Sequence, residues 1–451
     1  MGVRQPAGMT ARWRVEGRRI LDDRGRQILL RGANVGGRSK RPPFLPWDVE
    51  DGQRILLDEV ASWGLNCLRL PFTWQALEPE RGVFDEGWLD TYVNLVDAAW
   101  QRGLACIVDF HQDVFAAPFS GDGFPLWAVP AELRCLPAQD TEDGHWFLQY
   151  LDASGPVARC FDRLWANEDR LLDSMEAMWR HMAARLSGHP GVLGYEVINE
   201  PGWGSAPIPE FEAETLPAIV TRMGRAILEQ DPGALIFNGQ PGTGALSSTT
   251  WMQRPELPHE AFVFAPHYYQ ASVSTGGPLT APAAVGEGIA RLAAAGGSDR
   301  LGCPVLFGEF GAGMDSPDAA RFLRLAYDAL DATLSHGTVW EVSLSAQRWN
   351  NEHLGLIDAS AAPHPAVDEV IRPYPRAVAG SLSSTRWDPG SGLYACSAAD
   401  TPVDGVSEIF LPFEPRVRCE GGEASGWTPE DRTVQIRAIS SGWRFSATRL
   451  R

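Results

Sequence analysis

The regular alternation of short apolar runs with helix-period segments most limits the folds open to this chain. Runs of strand length recur at "ILLRGANV", "LNCLRLPF", "LACIVDF", "VLGYEVIN", "ALIFNG", "AFVFAPHYY", "PVLFGEF" and "TVWEVS". Between them lie amphipathic stretches such as "GWLDTYVNLVDAAWQRG" and "RLLDSMEAMWRHMAARLSG", with apolar residues at helical spacing and a closing glycine. Strands apolar along their whole length are buried on both faces, as in a parallel sheet covered by helices. Eight such units match an α/β fold of the closed (β/α)8 TIM-barrel type better than an open doubly wound sheet. No glycine-rich phosphate loop follows the first strand, which argues against a nucleotide-binding fold.

At 451 residues the chain is long enough for a barrel and a smaller companion. It opens as a hairpin, "RWRVEGRRILDDRGRQILLRG", with "DDRG" as its turn. Near residue 373 the texture changes. "RPYPRAVAG" reads as a linker, followed by short alternating strands at "GLYACSA", "VSEIFLPF", "TVQIRAIS" and "WRFSATRL". The expected division is a catalytic barrel over 1–372, with the N-terminal hairpin and a long insertion after strand three, then a β-sandwich over 373–451. The sandwich carries no catalytic cluster and is read as structural.

A formal charge of −18 without a Lys/Arg cluster excludes a nucleic-acid partner and disfavours attraction to an anionic membrane. No apolar run is long enough for a transmembrane helix, so no stable membrane insertion is expected. The first residues lack the apolar core of a signal peptide. Cys67, Cys106 and Cys303 lie in apolar runs, which suits reduced, buried thiols. Together these point to a cytoplasmic protein.

Active sites of such barrels are built from strand ends. Here those ends carry Arg69 in "CLRLPF", His111 and Asp113 in "VDFHQD", Asn199 and Glu200 in "VINEP", His267 and Tyr269 in "PHYY", Glu309 in "FGEFG" and Trp340 in "TVWEVS". A polar residue at any one strand end is readily explained as structural. Six strands presenting candidates at one edge are not. Glu200 and Glu309 come from strands four and seven, on opposite sides of the barrel mouth, and paired carboxylates there are what glycoside hydrolysis requires. One protonates the leaving oxygen while the other attacks the anomeric carbon, the two standing roughly 5 Å apart in retaining enzymes. Arg69 beside Glu309 would keep that carboxylate ionised. As an acid, Glu200 would need a drier, more apolar setting. Asn199 would bond a sugar 2-hydroxyl, His267 and Tyr269 would orient the carboxylates, and Trp340 would offer a flat face to a sugar ring.

The combination "LRLPF", "DFHQD", "INEP", "PHYY", "LFGEFG" and a strand-eight tryptophan resembles glycoside hydrolase family 5, over about residues 27 to 372. That resemblance implies Glu200 as acid/base and Glu309 as nucleophile, with Arg69, His111, Asn199 and Tyr269 as the family's supporting residues. "RGANVGGRSKRPPF", "HQDVF…GDGFPLWA", "WNNEHLGL" and the appended β-domain look like its endoglycoceramidase and glucosylceramidase-related branch. Members of that branch cleave the β-bond between a sugar head and ceramide or a similar lipid. The likeness implies Lys40 and Asp113 as glycone contacts, supported by Trp340. The chain departs from the branch pattern at Ala116-Ala117, where Ser-Arg is usual, and at Phe124, where a small residue is usual. These departures leave the substrate open rather than the reaction.

A lipid aglycone needs an apolar groove beside a polar sugar pocket, and the insertion offers Phe115, Phe119, Phe124, Leu126, Trp127, Trp146 and Phe147. These aromatics either line a rim able to touch a lipid surface transiently or fold the insertion onto the barrel. No cofactor is expected. His111, Asp113 and His267 match no common metal-ligand spacing, and no nucleophile elbow of the G-x-S-x-G type occurs. Two further readings stay open: a glycosidase for steryl, aryl, flavonoid or polysaccharide β-glycosides, and a non-catalytic glycolipid-binding barrel.

Overall fold

The computed structural model describes residues 13–136, 146–258, 260–344 and 353–450. Part of the insertion, 137–145, and the first residues of "WNNEHLGL", 349–352, lie outside the described residues.

Eight parallel strands form one sheet: β1 (Arg31–Asn34), β2 (Cys67–Phe72), β3 (Ala105–Phe110), β4 (Val192–Glu196), β5 (Leu235–Asn238), β6 (Phe262–Phe264), β7 (Leu306–Phe307) and β8 (His336–Val339). Each pairs with its neighbour in chain order, β8 returns to β1, and a Phe264–Val305 bridge joins β6 to β7. The expected barrel is therefore present. Two of the expected strands are broken. Past Pro266 and Gly308 the chain restarts as His267–Tyr268 and Glu309–Phe310, which pair with each other in register. Proline offers no N–H to the ladder, and the Gly308 N–H bonds the Pro266 carbonyl at 3.0 Å across the break. The bend sets His267 directly opposite Glu309.

Helices follow from local signals. Asp85 caps Glu86–Trp100 by accepting from the Trp88 N–H, and Leu89, Tyr92, Val96 and Ala99 turn inward. Leu171–Leu186 buries Leu172, Met175, Trp179, Met182 and Leu186 before Gly188 takes a left-handed conformation. Among the described residues no helix is long and apolar enough to cross a membrane.

The N-terminal segment is a three-stranded meander rather than one hairpin. Arg14–Glu16 turns back at Gly17 to Arg19–Leu21, and only then does the "DDRG" turn lead to Gln27–Ile28. Trp13, Val15, Ile20 and Ile28 plug the barrel floor, packing with Ile107, Leu193 and Phe237. The meander then continues into the C-terminal region. Gln27–Ile28 pairs with Tyr374–Val378, inside the stretch read as a linker, and that strand pairs in turn with Val406–Phe410. Pro375 pairs with Ile409, and the register slips just after it, between Pro375 and Ala377. A seven-stranded and a four-stranded antiparallel sheet sandwich a core that includes Trp387, Tyr394, Phe410, Ile436, Trp443 and Phe445.

Candidate active site

The barrel brings all ten sequence candidates to one face. Its centre is Arg69 on β2, with a fully buried side chain. Its Nη1 donates to Glu309 Oε1 at 2.7 Å and to Asn34 Oδ1 at 2.9 Å. Nε and Nη2 grip Glu196 at 2.7 and 3.0 Å, and Nη2 also reaches Asn199 Oδ1 at 2.9 Å and Asp109 Oδ1 at 3.1 Å. A planar guanidinium suits several carboxylates at fixed angles, and burial makes each contact obligatory. Burial works against the Arg69 cation, but Asp109, Glu196 and Glu309 outweigh it and hold the group charged.

Glu309 is gripped on both oxygens, since Tyr269 Oη donates to Oε2 at 2.9 Å. Burial alone would raise its carboxyl. His267 and Arg69, then His111 and Lys40, more than reverse that and bring it down to about 2. Glu200 follows β4 in a left-handed backbone conformation, φ 36°. Its Oε1 stands 2.8 Å from His267 Nδ1, which is also 3.5 Å from Glu309 Oε2. One carboxylate oxygen of each glutamate and one His267 nitrogen all lie within 4.8 Å of one another. Glu200 is the more open of the pair, with 14% of its side chain exposed against 7% for Glu309. The drier setting expected for an acid is thus not what the fold provides. Glu200 is the one of the two that faces outward.

The second half of the site lies beside the first. Lys40 Nζ is 2.7 Å from Asp113 Oδ2 and 4.6 Å from the centre of the Trp340 ring. Trp340 stacks on His111, ring centres 5.3 Å apart and planes within 17°. His111 Nδ1 is held by Asp109 Oδ2 at 2.7 Å, and its Nε2 lies 3.4 Å from Asp113 and from the Asn199 amide. Burial and Lys40 oppose a charged His111, yet Asp109 and Asp113 prevail and raise it to about 10. Asp113 is lowered despite its burial, through Lys40 and His111.

The atoms of Glu200, His267 and Glu309 are close enough to hold one cation. Their chemistry favours hydrogen bonding instead. Both Glu309 oxygens already accept from Arg69 and Tyr269, and the two carboxylates raise His267 toward its protonated form against its burial. His111 and Asp113 are engaged by Asp109 and Lys40.

The family model described as cellulase, glycosyl hydrolase family 5, matches residues 21–344. The chain belongs to glycosyl hydrolase family 5. Endoglycoceramidase I of Rhodococcus hoagii (strain 103S) is 27% identical over 473 residues, covering 97% of this chain and 88% of its own. Endo-glycoceramidase II from Rhodococcus sp., in complex with ganglioside GM3, superimposes with a TM-score of 0.81 at 25% identity, over 96% of this chain and 99% of its own. The lactosyl-enzyme intermediate of that same protein gives a TM-score of 0.80 at 26% identity over the same shares.

Several buried groups of this family 5 site escaped the sequence reading. Asp109 lies one residue short of the end of β3 and Glu196 closes β4, and they anchor Arg69 and His111. The available signal was a carboxylate within an otherwise apolar run, "IVDF" and "LGYE", which is unfavourable unless paired. Asp122 is buried and Glu341 half-buried near Lys40, and desolvation, with Asp113 and Glu309 respectively adding repulsion, raises each to about 7. Gln112 donates to the Asn199 and Glu200 carbonyls at 2.8 and 2.9 Å, holding that turn.

Of the seven apolar residues offered for a rim, Phe115, Phe119 and Phe124 are core. Phe115 and Phe124 stack 4.0 Å apart, and Phe161 meets both edge-on. A large side chain at 124 therefore fills space under the loop instead of lining a groove. Trp127, Trp146 and Phe147 are half-buried and Leu126 is exposed, together with Leu148 and Leu151.

Proposed function

We propose that this protein is a retaining β-glycosidase that releases a sugar or oligosaccharide head from ceramide or a similar lipid aglycone. The observation that carries the reaction is the approach of Glu200 and Glu309 within 4.8 Å, with His267 between them. That spacing suits double displacement, in which one carboxylate attacks the anomeric carbon directly. Glu309, ionised and aimed by Arg69 and Tyr269, is the nucleophile. It forms the glycosyl–enzyme bond as Glu200 delivers a proton to the departing oxygen. Glu200 then takes a proton from water, which attacks the same carbon and frees Glu309. Lys40, Asp113, His111 and Trp340 hold the glycone, and Asn199 bonds the 2-hydroxyl. The likeness to endoglycoceramidases along nearly the whole chain supports the lipid aglycone. Leu126, Leu148 and Leu151, with Trp127, Trp146 and Phe147 behind them, would meet the acyl chains or a lipid surface in passing.

A hydrolysis panel tests this reading, using glucosylceramide, lactosylceramide, a ganglioside, a steryl glucoside and an aryl β-glucoside, with the released sugar identified. Intact oligosaccharide from the longer glycolipids is the expected result. Turnover of the steryl or aryl glucoside alone would overturn the ceramide assignment, and no turnover of any would overturn the reaction.

A further inference from the structure

We propose that Gly242 is a positioning residue for Glu200, and that the lack of a side chain at 242 lets the acid/base carboxylate occupy its place against His267. The proposal rests on the assignment of Glu200 given above. A Cβ added at Gly242 would lie 2.4 Å from Glu200 Oε2 and 3.0 Å from its Cδ, well inside van der Waals contact. Nothing else around Gly242 comes as close as this carboxylate.

What must yield to such a methyl is decided by the surroundings. The loop after β5 cannot easily retreat. Pro241 fixes the backbone immediately before it, the short helix Gly242–Ser247 receives the Tyr269 N–H at the Ala245 carbonyl at 3.2 Å, and Gln240 reaches the His267 carbonyl at 3.4 Å. The Glu200 main chain is equally fixed by Gln112. The free end of the Glu200 side chain is the soft part, and displacing it breaks the 2.8 Å contact with His267. Gly242 lies outside the left-handed region, so an alanine there carries no backbone strain. Gly242→Ala should therefore leave the fold intact and remove the acid from its working position.

Acid catalysis has a signature that stability does not imitate. Dinitrophenol leaves without a proton, whereas phenol or a ceramide hydroxyl needs one. The experiment compares wild type, Gly242→Ala, Glu200→Ala and the control Gly286→Ala on dinitrophenyl and phenyl β-glycosides of the sugar the enzyme accepts. Thermal melting is recorded for each. A Cβ at Gly286 meets no atom within 4 Å. In Gly242→Ala, kcat/KM on the phenyl glycoside should fall on the order of 100-fold, the lower range for general acid–base catalysis. The dinitrophenyl kcat/KM should hold. Its kcat should drop, because water then lacks a base, and azide, which needs none, should restore it. Unchanged activity, or equal losses on both substrates without azide rescue, would overturn the proposal. If Glu200→Ala itself lacks the leaving-group dependence, the acid/base assignment fails. If it has that dependence and Gly242→Ala does not, only the role of Gly242 fails.

Discussion

Arg69 Nη1 stands 2.7 Å from Glu309 Oε1 while the opposite edge of the same guanidinium grips Glu196 at 2.7 and 3.0 Å. The carboxylate proposed as nucleophile is thus held by a cation that cannot turn toward it without abandoning another buried carboxylate. This rigidity fixes Glu309 before any substrate arrives, and preorganisation of that kind places the attacking oxygen at no further cost in the transition state.

Glu309→Gln should abolish hydrolysis, on the order of 10,000-fold or more in kcat, the scale on which catalytic groups acting as a unit are lost. The amide keeps the shape, its oxygen can still accept from Arg69 and its NH2 can donate to the Tyr269 hydroxyl, so thermal melting should change little. Substantial turnover by this variant, with contamination excluded by mass spectrometry, would remove Glu309 from the nucleophile role.

Arg69→Ala should be a folding defect before it is a catalytic one. It leaves Asp109, Glu196 and Glu309 buried without their shared cation. Removing one partner of a buried ion pair costs about 3–5 kcal/mol, and three carboxylates depend on this one. The expected result is a large fall in melting temperature or insoluble protein, measured by calorimetry and expression yield. A stable Arg69→Ala would mean that the network relaxes in a way these contacts do not suggest.

Tyr269→Phe should shift the acid limb of kcat/KM toward higher pH. The hydroxyl donates to ionised Glu309 at 2.9 Å and so favours the charged form. Glu309 is held down to about 2, so in the wild type it remains ionised well below the ordinary carboxyl value of about 4.3. Without the donor its value rises, and Glu309 is protonated at less acidic pH. An unmoved acid limb would assign that limb to another group.

Asp122→Asn should stabilise the protein above pH 4 and do so increasingly up to about pH 7. Asp122 is raised from 3.8 to about 7, first by burial and then by Asp113, against Lys40, His111 and Arg41. Between those values the folded chain keeps a proton that the unfolded chain has lost, so stability falls as pH rises through this window and levels off above it. An amide does not titrate and escapes that loss, an advantage on the order of 2–4 kcal/mol at neutral pH and none near pH 3. Parallel melting curves for the two proteins at all pH values would contradict it.

Trp340→Ala should raise KM more than it lowers kcat. The ring carries Lys40 on its face and His111 stacked against it, the two residues proposed to hold the glycone. A desolvated cation–π contact is worth about 2 kcal/mol, which corresponds to a KM rise of at least tenfold. A loss confined to kcat would place Trp340 against the reacting carbon instead.

The barrel was legible because a buried strand must be apolar along its length and a covering helix must be apolar on one face. "LACIVDF" and "RLLDSMEAMWRHMAARLSG" carry those periods openly. The catalytic candidates were legible for a related reason, since a charged residue where an apolar run stops, as in "VINEP" or "FGEFG", has few structural explanations. Asp109 and Glu196 were hidden in apolar strand runs because only their partners make them tolerable. Those partners, Arg69 and His111, lie on other strands or just past the strand end. Tyr374–Val378 was hidden by its proline, which reads as a linker until its pairing with two distant strands shows it as a strand.

The sequence by itself determined which segments would be strands and helices, and therefore that Glu200 and Glu309 would face the same barrel mouth. Local periodicity and burial are properties of consecutive residues. Only the tertiary structure decided that His267 stands between the two carboxylates, that Arg69 is shared among three acids, that Phe115 and Phe124 are core, and that Glu200 is the wetter glutamate. Each of these depends on distances between residues far apart in the chain. Such distances are set by how the barrel closes and how its loops pack, and no single segment encodes them.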